Sequence, residues 1–315
     1  MNYLPNGKEE IELVKFIARY EYLQVSDAKY FFESTKYYKY RIKKLIDKRI
    51  LRRIKWKLVL GDFGIQYVKL LGFEYNRLNR NKKYTERLMR ISNLAAFYHK
   101  CKGIRFTPSF SIKDKQVFTK TSRRYIGILE VNGFKYLTYY ISEKNDSKYI
   151  TSVIYDIQKE MEYDNFIVFI NDINRINAED FVTGRHSTLI IEDNQENREK
   201  LKYLNRVNWY KLIQNMYGEE VVLSPYYFCE YTNYKEKYIS PFYFFDAEAM
   251  WRLKIFMRES TGKKFGTAIC DKRTKELLEK HIPNARFVVI NLEKHIDKCR
   301  RIWLEGENGP LSLIY

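Results

Sequence analysis

The sequence predicts a mixed α/β chain that opens with a small domain of helices and one hairpin. Three observations lead to this fold class. The basic excess is concentrated at the start: residues 1–83 hold 20 Lys and Arg against 9 Asp and Glu, so they supply +11 of the net charge of +18. Apolar residues recur at helical spacing up to residue 47 and then form short β-prone runs. Beyond residue 100, strand-like runs alternate with helical patterns.

Length and composition narrow the class of protein. The 315 residues suffice for about two domains. No apolar run reaches the ~20 residues of a membrane span, and the first ten residues lack the apolar core of a signal peptide. The four cysteines form no CxxC pair, so we expect no zinc site and no disulfide framework. These features predict a cytoplasmic protein with no membrane partner and no cofactor.

Three helices are predicted in the first fifty residues. The first is KEEIELVKFIARY (8–20), with acidic residues at its positive end. The second is VSDAKYFF, which Ser26 or Asp27 can cap. The third lies in ESTKYYKYRIKKLIDKRI, with Ser34 or Thr35 as the cap. Its buried stripe is predicted to comprise Tyr38, Ile42, Leu45 and Ile46.

The opposite face of the third helix is basic and rich in tyrosine. It comprises Lys36, Tyr37, Lys39, Tyr40, Arg41, Lys43 and Lys44. Lys and Arg neutralise phosphates or reach guanine edges, while Tyr donates to phosphate or packs on sugars. A recognition helix occupies this third position in helix-turn-helix domains. We therefore expect a DNA-binding face here, the alternative being an ordinary solvated face.

A hairpin follows, with a basic end. The runs at 50–54 and 58–60 are β-prone. Its predicted DNA-binding residues are Arg52, Arg53, Lys55 and Lys57. The next segment, DFGIQYVKLLG, is predicted to pack back as a helix through Phe63, Ile65, Tyr67, Val68 and Leu71. Together these elements predict a winged helix-turn-helix domain over residues 1–80, with double-stranded DNA as its partner.

Residues 84–315 are predicted to form an α/β domain. A helix (84–101), three strands (105–112, 123–131, 134–142), a helix (147–162) and a strand (165–172) come first. Each helix has a predicted apolar stripe: Leu88, Ile91, Leu94, Ala95 and Tyr98 in the first, and Ile150, Val153, Ile154, Ile157 and Met161 in the second. Asn132-Gly133 predicts a tight hairpin turn between the second and third strands. This order is that of a degenerate restriction-endonuclease-like core over 84–172. An α/β extension is predicted over 173–315, and its elements include a strand at 187–192, a long helix at 195–216, a strand at 286–291 and a last helix after that strand.

Several segments resemble the replication-relaxation family of plasmid and mobile-element proteins. They are KKLIDKRILRRI, LVLGDFGIQYVKLLG (58–72), YTERLMRISNLAAFYHKC and YIGILEV. The resemblance covers residues 8–165 and implies a winged helix followed by a degenerate nuclease-like domain, with roles in plasmid replication, DNA relaxation and conjugative transfer. The chain departs from that pattern at Gly61, where the family usually has Thr, and in lacking a Pro-Asp pair before the hairpin.

Catalytic groups are sparse. Nuclease activity of such a fold needs an acid on one strand and Glu-x-Lys on the next to hold a divalent metal. The candidates are Glu130, with Glu86 on the preceding helix, and the next strand offers only Lys135. The four histidines are isolated, and no Walker A or GxSxG pattern occurs. We therefore expect Glu130 to be structural, and we predict no catalytic residues and no metal site.

The sequence thus favours a non-enzymatic, sequence-specific DNA-binding protein of a plasmid or other mobile element. We expect it to dock at a replication or transfer origin or an operator, and its α/β domain to form a homodimer or recruit replication or transfer proteins. One alternative is a metal-dependent nickase or nuclease at the same DNA. Another is a transcription regulator that senses a ligand or peptide through the aromatics of residues 226–256, although core packing is the favoured interpretation of those aromatics.

Overall fold

The computed structural model combines helices with several sheets. It describes residues 5, 7–34, 36–73, 75, 82–112, 124–185, 187–218, 221–224, 229–232, 238–259, 266–292 and 294. Two compact units divide the chain: residues 1–118 with 126–129, and residues 119–125 with 130–315. The combination of helices and sheets confirms the mixed α/β class. The predicted domain boundary at residues 80–84 stays a prediction, because a compact unit defined by contacts need not coincide with a domain that folds on its own.

The first unit begins with helices and a small sheet. Its elements are α1 (Lys8–Tyr20), β1 (Leu23–Gln24), a 3₁₀ helix (Val25–Phe31), α2 (Tyr38–Asp47), β2 (Leu51–Ile54), β3 (Lys57–Leu60), α3 (Asp62–Leu70), α4 (Lys82–Phe97), β4 (Ile104–Pro108) and α5 (Ser109–Ile112). The strands β1, β3 and β2 form an antiparallel sheet in that order, with Leu23 opposite Leu58 and Leu51 opposite Leu60. β2 is therefore an edge strand.

Two predictions for this unit are wrong in detail. The predicted second helix is a 3₁₀ helix with Gln24 at its N-cap position, so Ser26 and Asp27 lie inside it. The Ser26 hydroxyl donates to the Asp27 carboxylate at 3.2 Å instead of capping the helix. The predicted strand over 105–112 ends at Pro108, because the chain turns there into α5.

The core of the first unit includes the buried residues of α1 and α4. The predicted stripe of α4 is confirmed, since Leu88, Ile91, Leu94, Ala95 and Tyr98 are all buried. On α3, Tyr67 and Val68 are buried as predicted, whereas Phe63 and Leu71 are about two-fifths exposed. α3 contacts α1, β2 and β3, and these two side chains nevertheless remain partly in solvent.

The second unit alternates strands and helices. Its elements include β6 (Phe134–Ile141), α6 (Ser147–Lys159), β7 (Asn165–Ile170), β8 (Ser187–Glu192), α7 (Gln195–Leu201), α8 (Trp209–Tyr217), β9 (Val222–Leu223), β10 (Tyr231–Thr232), β11 (Tyr238–Phe242), β12 (Phe245–Asp246), α9 (Ala247–Glu259), β13 (Gly266–Cys270), α10 (Lys272–Leu278) and β14 (Arg286–Val289). β5 (Gly127–Val131) begins in the first unit and ends in the second.

Two groups of parallel strands organise this unit. β7 pairs in parallel with β6 and β8, and β12 pairs antiparallel to the other edge of β8. A separate sheet has the order β14-β13-β11-β10-β9, with β13 parallel to both β11 and β14. The inner strands of both groups are largely buried, as in sheets that helices normally cover, whereas the edge strand β14 is partly exposed.

The turn between β5 and β6 is as predicted. Asn132 and Gly133 have φ values of 51° and 93°, and two positive φ values are what a type I′ turn requires. The following helix, α6, has Asp146 as its N-cap, with the carboxylate accepting from the Tyr149 amide. It ends at Lys159, so Met161 lies beyond it and is 75% exposed instead of joining the predicted stripe.

The predicted long helix at 195–216 is two helices. α7 ends at Leu201, and α8 begins after its N-cap Asn208. Between them Asn205 adopts a positive φ of 65°, and its side chain donates to the Tyr136 hydroxyl at 2.8 Å. The predicted last helix, after residue 291, falls largely outside the described residues.

Candidate nucleic-acid interface

α2 presents a basic, tyrosine-rich face to solvent. Ile42 and Leu45 are buried and fix the opposite face of the helix, while Tyr38 and Ile46 of the predicted stripe are only partly buried. The exposed residues on and just before the helix are Lys36, Tyr37, Lys39, Tyr40, Lys43 and Lys44. The two tyrosines are 66% and 68% exposed, so their rings and hydroxyls are accessible among the lysines.

The start of α2 differs from the prediction. Tyr37 occupies the N-cap position with a helical backbone and makes no side-chain capping bond. Ser34 therefore does not cap the helix, and Thr35 lies outside the described residues. Lys36 and Tyr37 precede the first helical residue, so this part of the basic face belongs to the approach to the helix.

Arg41 is predicted on the exposed face, and the structure corrects this. Its guanidinium forms ion pairs with Glu9 and Glu10 of α1, with Nε 3.1 Å from Glu10 Oε1. It also lies over the Phe32 ring at 4.8 Å. Burial acts to lower the pKa of Arg41, but hydrogen bonds to Glu10 and Glu9 outweigh burial and raise it. Arg41 thus fastens α2 to α1 and leaves the exposed face to the lysines and tyrosines.

The hairpin β2–β3 carries further exposed cations. Arg52 and Arg53 lie on the edge strand β2, and Lys55 begins the two-residue turn. Lys55 has φ 56°, and its carbonyl accepts a hydrogen bond from Arg53 Nε at 2.8 Å. That hydrogen bond fixes the turn. Since α2 contacts β2, the two basic segments belong to one continuous part of the unit.

Lys57 differs from the other hairpin cations. It lies in the ladder opposite Ile54, below the tip, and is partly buried. Its ammonium lies 4.7 Å from the Trp56 ring centroid and 5.2 Å from that of Tyr22. Burial lowers the pKa of Lys57, and Glu86 partly offsets that effect. Lys57 therefore helps to hold Trp56 in place, whereas the sequence predicts it as a direct DNA contact.

Two further exposed cations are absent from the predicted DNA-binding residues. Lys48 and Arg49 follow α2, and both are exposed. Arg49 has a left-handed φ of 54°, which turns the chain from the helix into β2. The signal is present in the run KRILRR, which links the basic helix to the basic hairpin. The predicted interface therefore extends without a break through the α2–β2 connection.

The catalytic candidates differ in their surroundings. Glu130 is half-buried on β5, Lys135 is exposed on β6, and Glu86 is half-buried on α4 with an electrostatic interaction with Lys57. No group of three or more His, Cys, Asp or Glu among the described residues could hold a metal ion. His99 and His281 pack against aromatic rings, while His186 and His295 lie outside the described residues.

The aromatic residues near 226–256 form core where they are described. Buried members include Tyr238, Phe242, Tyr243, Phe244, Phe245 and Phe256. Tyr238 packs on Phe256 with ring centroids 4.2 Å apart. This confirms the core interpretation for those residues, whereas residues 226–228 lie outside the described part of the chain.

Comparisons with known proteins give no relative. Neither the protein-family models, nor the curated proteins, nor the solved structures contain a match to this chain. A separate finding concerns membranes: within the described residues, every helix is too short or too polar to cross a bilayer.

Proposed function

We propose that the first unit is a winged helix-turn-helix domain and that the protein binds double-stranded DNA through it. The order of elements supports this proposal. A helix, a short strand, a helical turn, a second helix and a two-stranded hairpin follow one another, and the short strand joins the hairpin in one antiparallel sheet. In such a domain α2 is the recognition helix and β2–β3 is the wing.

The observation that carries the proposal is the continuous exposed basic surface from α2 to the hairpin. It is formed by Lys36, Lys39, Lys43, Lys44, Lys48, Arg49, Arg52, Arg53 and Lys55. Cations crowded in this way repel one another, and a phosphate backbone relieves that repulsion while releasing its counterions. Exposed tyrosines among the lysines add donors to phosphate and surfaces for sugars.

The testing experiment is a gel shift with the full chain, performed at several salt concentrations with Mg²⁺ present. The DNA consists of fragments of the replicon that encodes the protein, with unrelated duplexes as competitors. We expect one fragment to be retained against competitor and the affinity to fall steeply with salt. If no duplex is bound even at low salt, the proposal is wrong.

The same reactions separate binding from cleavage. We propose a binding protein, so supercoiled DNA should remain uncut in the lanes that show binding. Nicking that requires Mg²⁺ and disappears in Glu130→Gln would instead establish the nickase alternative. Glu162→Gln serves as the control, because Glu162 is an exposed carboxylate that lies outside β5 and β6.

We further propose a setting for this binding. The resemblance of residues 8–165 to replication-relaxation proteins favours a plasmid or other mobile element, a cytoplasmic location, and a replication or transfer origin as the target. It also favours a degenerate nuclease-like fold after the winged helix. Homodimer formation and recruitment of replication or transfer proteins by the second unit belong to the same proposal.

A further inference from the structure

We infer that the hairpin tip is a wedge, in which Trp56 enters the base stack of bound DNA and unstacks one step. This inference rests on the proposed DNA binding and names the kind of DNA that the site prefers: a duplex step that is already weak or unpaired. The tip consists of Lys55 and Trp56, joined to the strands at the Ile54–Lys57 pair.

The first support is an apolar tip inside a basic hairpin. Trp56 is 47% exposed and Ile54 is 42% exposed, so much of each side chain remains in water. Exposed cations flank both residues, namely Arg52, Arg53 and Lys55. Cations of this kind bring the tip against a phosphate backbone, and the next surface beyond the phosphates is the groove floor with its base steps.

The second support is that the tryptophan is held in position. Lys57 Nζ lies 4.7 Å from the Trp56 ring centroid, and the Tyr22 ring centroid lies 5.2 Å from the same ammonium. Tyr22 immediately precedes β1, the strand that pairs with β3. The indole is therefore braced from the sheet, and bracing reduces the side-chain entropy that insertion would otherwise cost.

The third support is the backbone of the turn. Lys55 has a left-handed φ of 56°, a conformation in which Gly or Asn is the usual hairpin residue. The hydrogen bond from Arg53 Nε to the Lys55 carbonyl, 2.8 Å long, holds this strained turn closed. Because the tip is closed and rigid, cations that bind phosphates also hold the Trp56 ring against the DNA.

Apolar wedges of this type do two things to DNA. They unstack the step that they enter and bend the helix away from the insertion. An aromatic ring can also stack on the exposed base, and that contact tolerates any base because every base has a π-face. The tip should therefore bind any sequence but favour a step whose stacking is already broken.

The experiment compares two short duplexes that differ only in one mismatched pair, with 2-aminopurine beside that position. For the full-length wild-type protein we expect tighter binding to the mismatched duplex by about tenfold, because the unstacking cost is already met. The 2-aminopurine fluorescence of the paired duplex should rise on binding. Trp56→Ala should bind both duplexes within about twofold of each other and give no rise, and Trp56→Phe should retain part of both effects.

Arg52→Ala is the matched control, because it removes an exposed hairpin cation and leaves the tip. It should weaken binding to both duplexes alike and keep the mismatch preference. If wild-type protein binds both duplexes equally, or if Trp56→Ala keeps the preference, the wedge is wrong while DNA binding stands. If wild-type protein binds neither duplex, both the proposed function and the wedge inference are wrong.

Discussion

Arg41 on α2 and Glu10 on α1 form an ion pair, with Arg41 Nε 3.1 Å from Glu10 Oε1. The Glu10 side chain is only 5% exposed, so this charge is held inside the unit. Glu9 completes the arrangement by binding the same guanidinium and accepting from the Glu33 amide at 2.6 Å. The orientation of the basic helix therefore depends on two carboxylates that the sequence predicts only to favour the start of α1.

Replacing Arg41 tests this. Arg41→Ala should lower the free energy of unfolding by about 1–3 kcal/mol, because a buried carboxylate is left without its hydrogen-bonded cation. Lys43→Ala, on the exposed face, should change it by less than about 0.5 kcal/mol. Urea denaturation of both variants measures the difference. Equal stability of the two variants would show that Arg41 does not fasten α2 to α1.

The exposed lysines are tested by the salt dependence of DNA binding. Lys39→Ala with Lys43→Ala should reduce the slope of log affinity against log salt by about one for each phosphate that is no longer neutralised. Lys135→Ala with Lys148→Ala removes the same charge from β6 and α6 and should leave the slope unchanged. A slope that falls equally in both double variants would mean that net charge, and not this helix, determines binding.

The hairpin cations should act on all DNA sequences alike. Arg52→Ala, Arg53→Ala and Lys55→Asn together should weaken binding to specific and random duplexes by the same factor, because phosphate contacts carry no sequence information. Asn is used at residue 55 because it tolerates the positive φ there. A changed sequence preference in a selection from random duplexes would instead show that the hairpin reads bases.

His99 gives a pH dependence with a defined sign. Its ring lies 4.6 Å from that of Phe31, and burial lowers the pKa of His99, partly offset by Glu12 at 3.7 Å. As the pH falls below the ordinary value of 6.5, the unfolded chain binds a proton that the folded chain resists, so stability falls until the folded pKa is passed. Wild type should therefore lose more stability than His99→Gln between about pH 7.5 and pH 5.5, measured by urea denaturation. An identical loss in both proteins would exclude His99 as the cause.

Gly61 lies where the replication-relaxation pattern usually has Thr, and a substitution there tests whether this backbone position tolerates a side chain. A Cβ at Gly61 would lie 2.2 Å from the Arg49 carbonyl oxygen, a backbone atom that cannot swing aside. Gly61→Ala should therefore cost about 2 kcal/mol or more in unfolding free energy. Gly72→Asn, which faces open space at a positive φ, should cost much less. Wild-type stability of Gly61→Ala would mean that this close approach is absent in solution.

The sequence predicts secondary structure best where local residues alone determine the helix, strand or turn. The stripe of α4, the hairpin β2–β3 and the Asn132-Gly133 turn all follow from local patterns, and all appear in the structure. β1 escapes prediction because two residues, Leu23 and Gln24, have no periodicity to detect. β11 escapes it partly because Pro241 argues against an interior strand; β10 pairs only with Tyr238 and Ile239, so the ladder on that side ends before the proline.

In the candidate site, side chains whose positions depend on residues distant in the sequence could not be predicted. The lysines of α2 can be assigned to the exposed face because Ile42 and Leu45 define the buried one. Arg41 cannot be assigned, because it borders the stripe and its position is decided by Glu9 and Glu10, some thirty residues earlier in the chain. Likewise Lys57 is drawn from the tip by Tyr22, which belongs to a different element.

The path of β5 affects how the protein can be divided. Residues 126–129 group with the first unit, whereas residues 119–125 and everything from residue 130 group with the second. The Ile126 carbonyl accepts from the Ser109 amide at 2.9 Å, and the backbone of Gly127 approaches Thr107 so closely that a Cβ would lie 2.4 Å from the Thr107 carbonyl oxygen. A fragment that stops at residue 118 would lack these partners. No single cut, and no single genetic crossover, can therefore exchange the first unit intact.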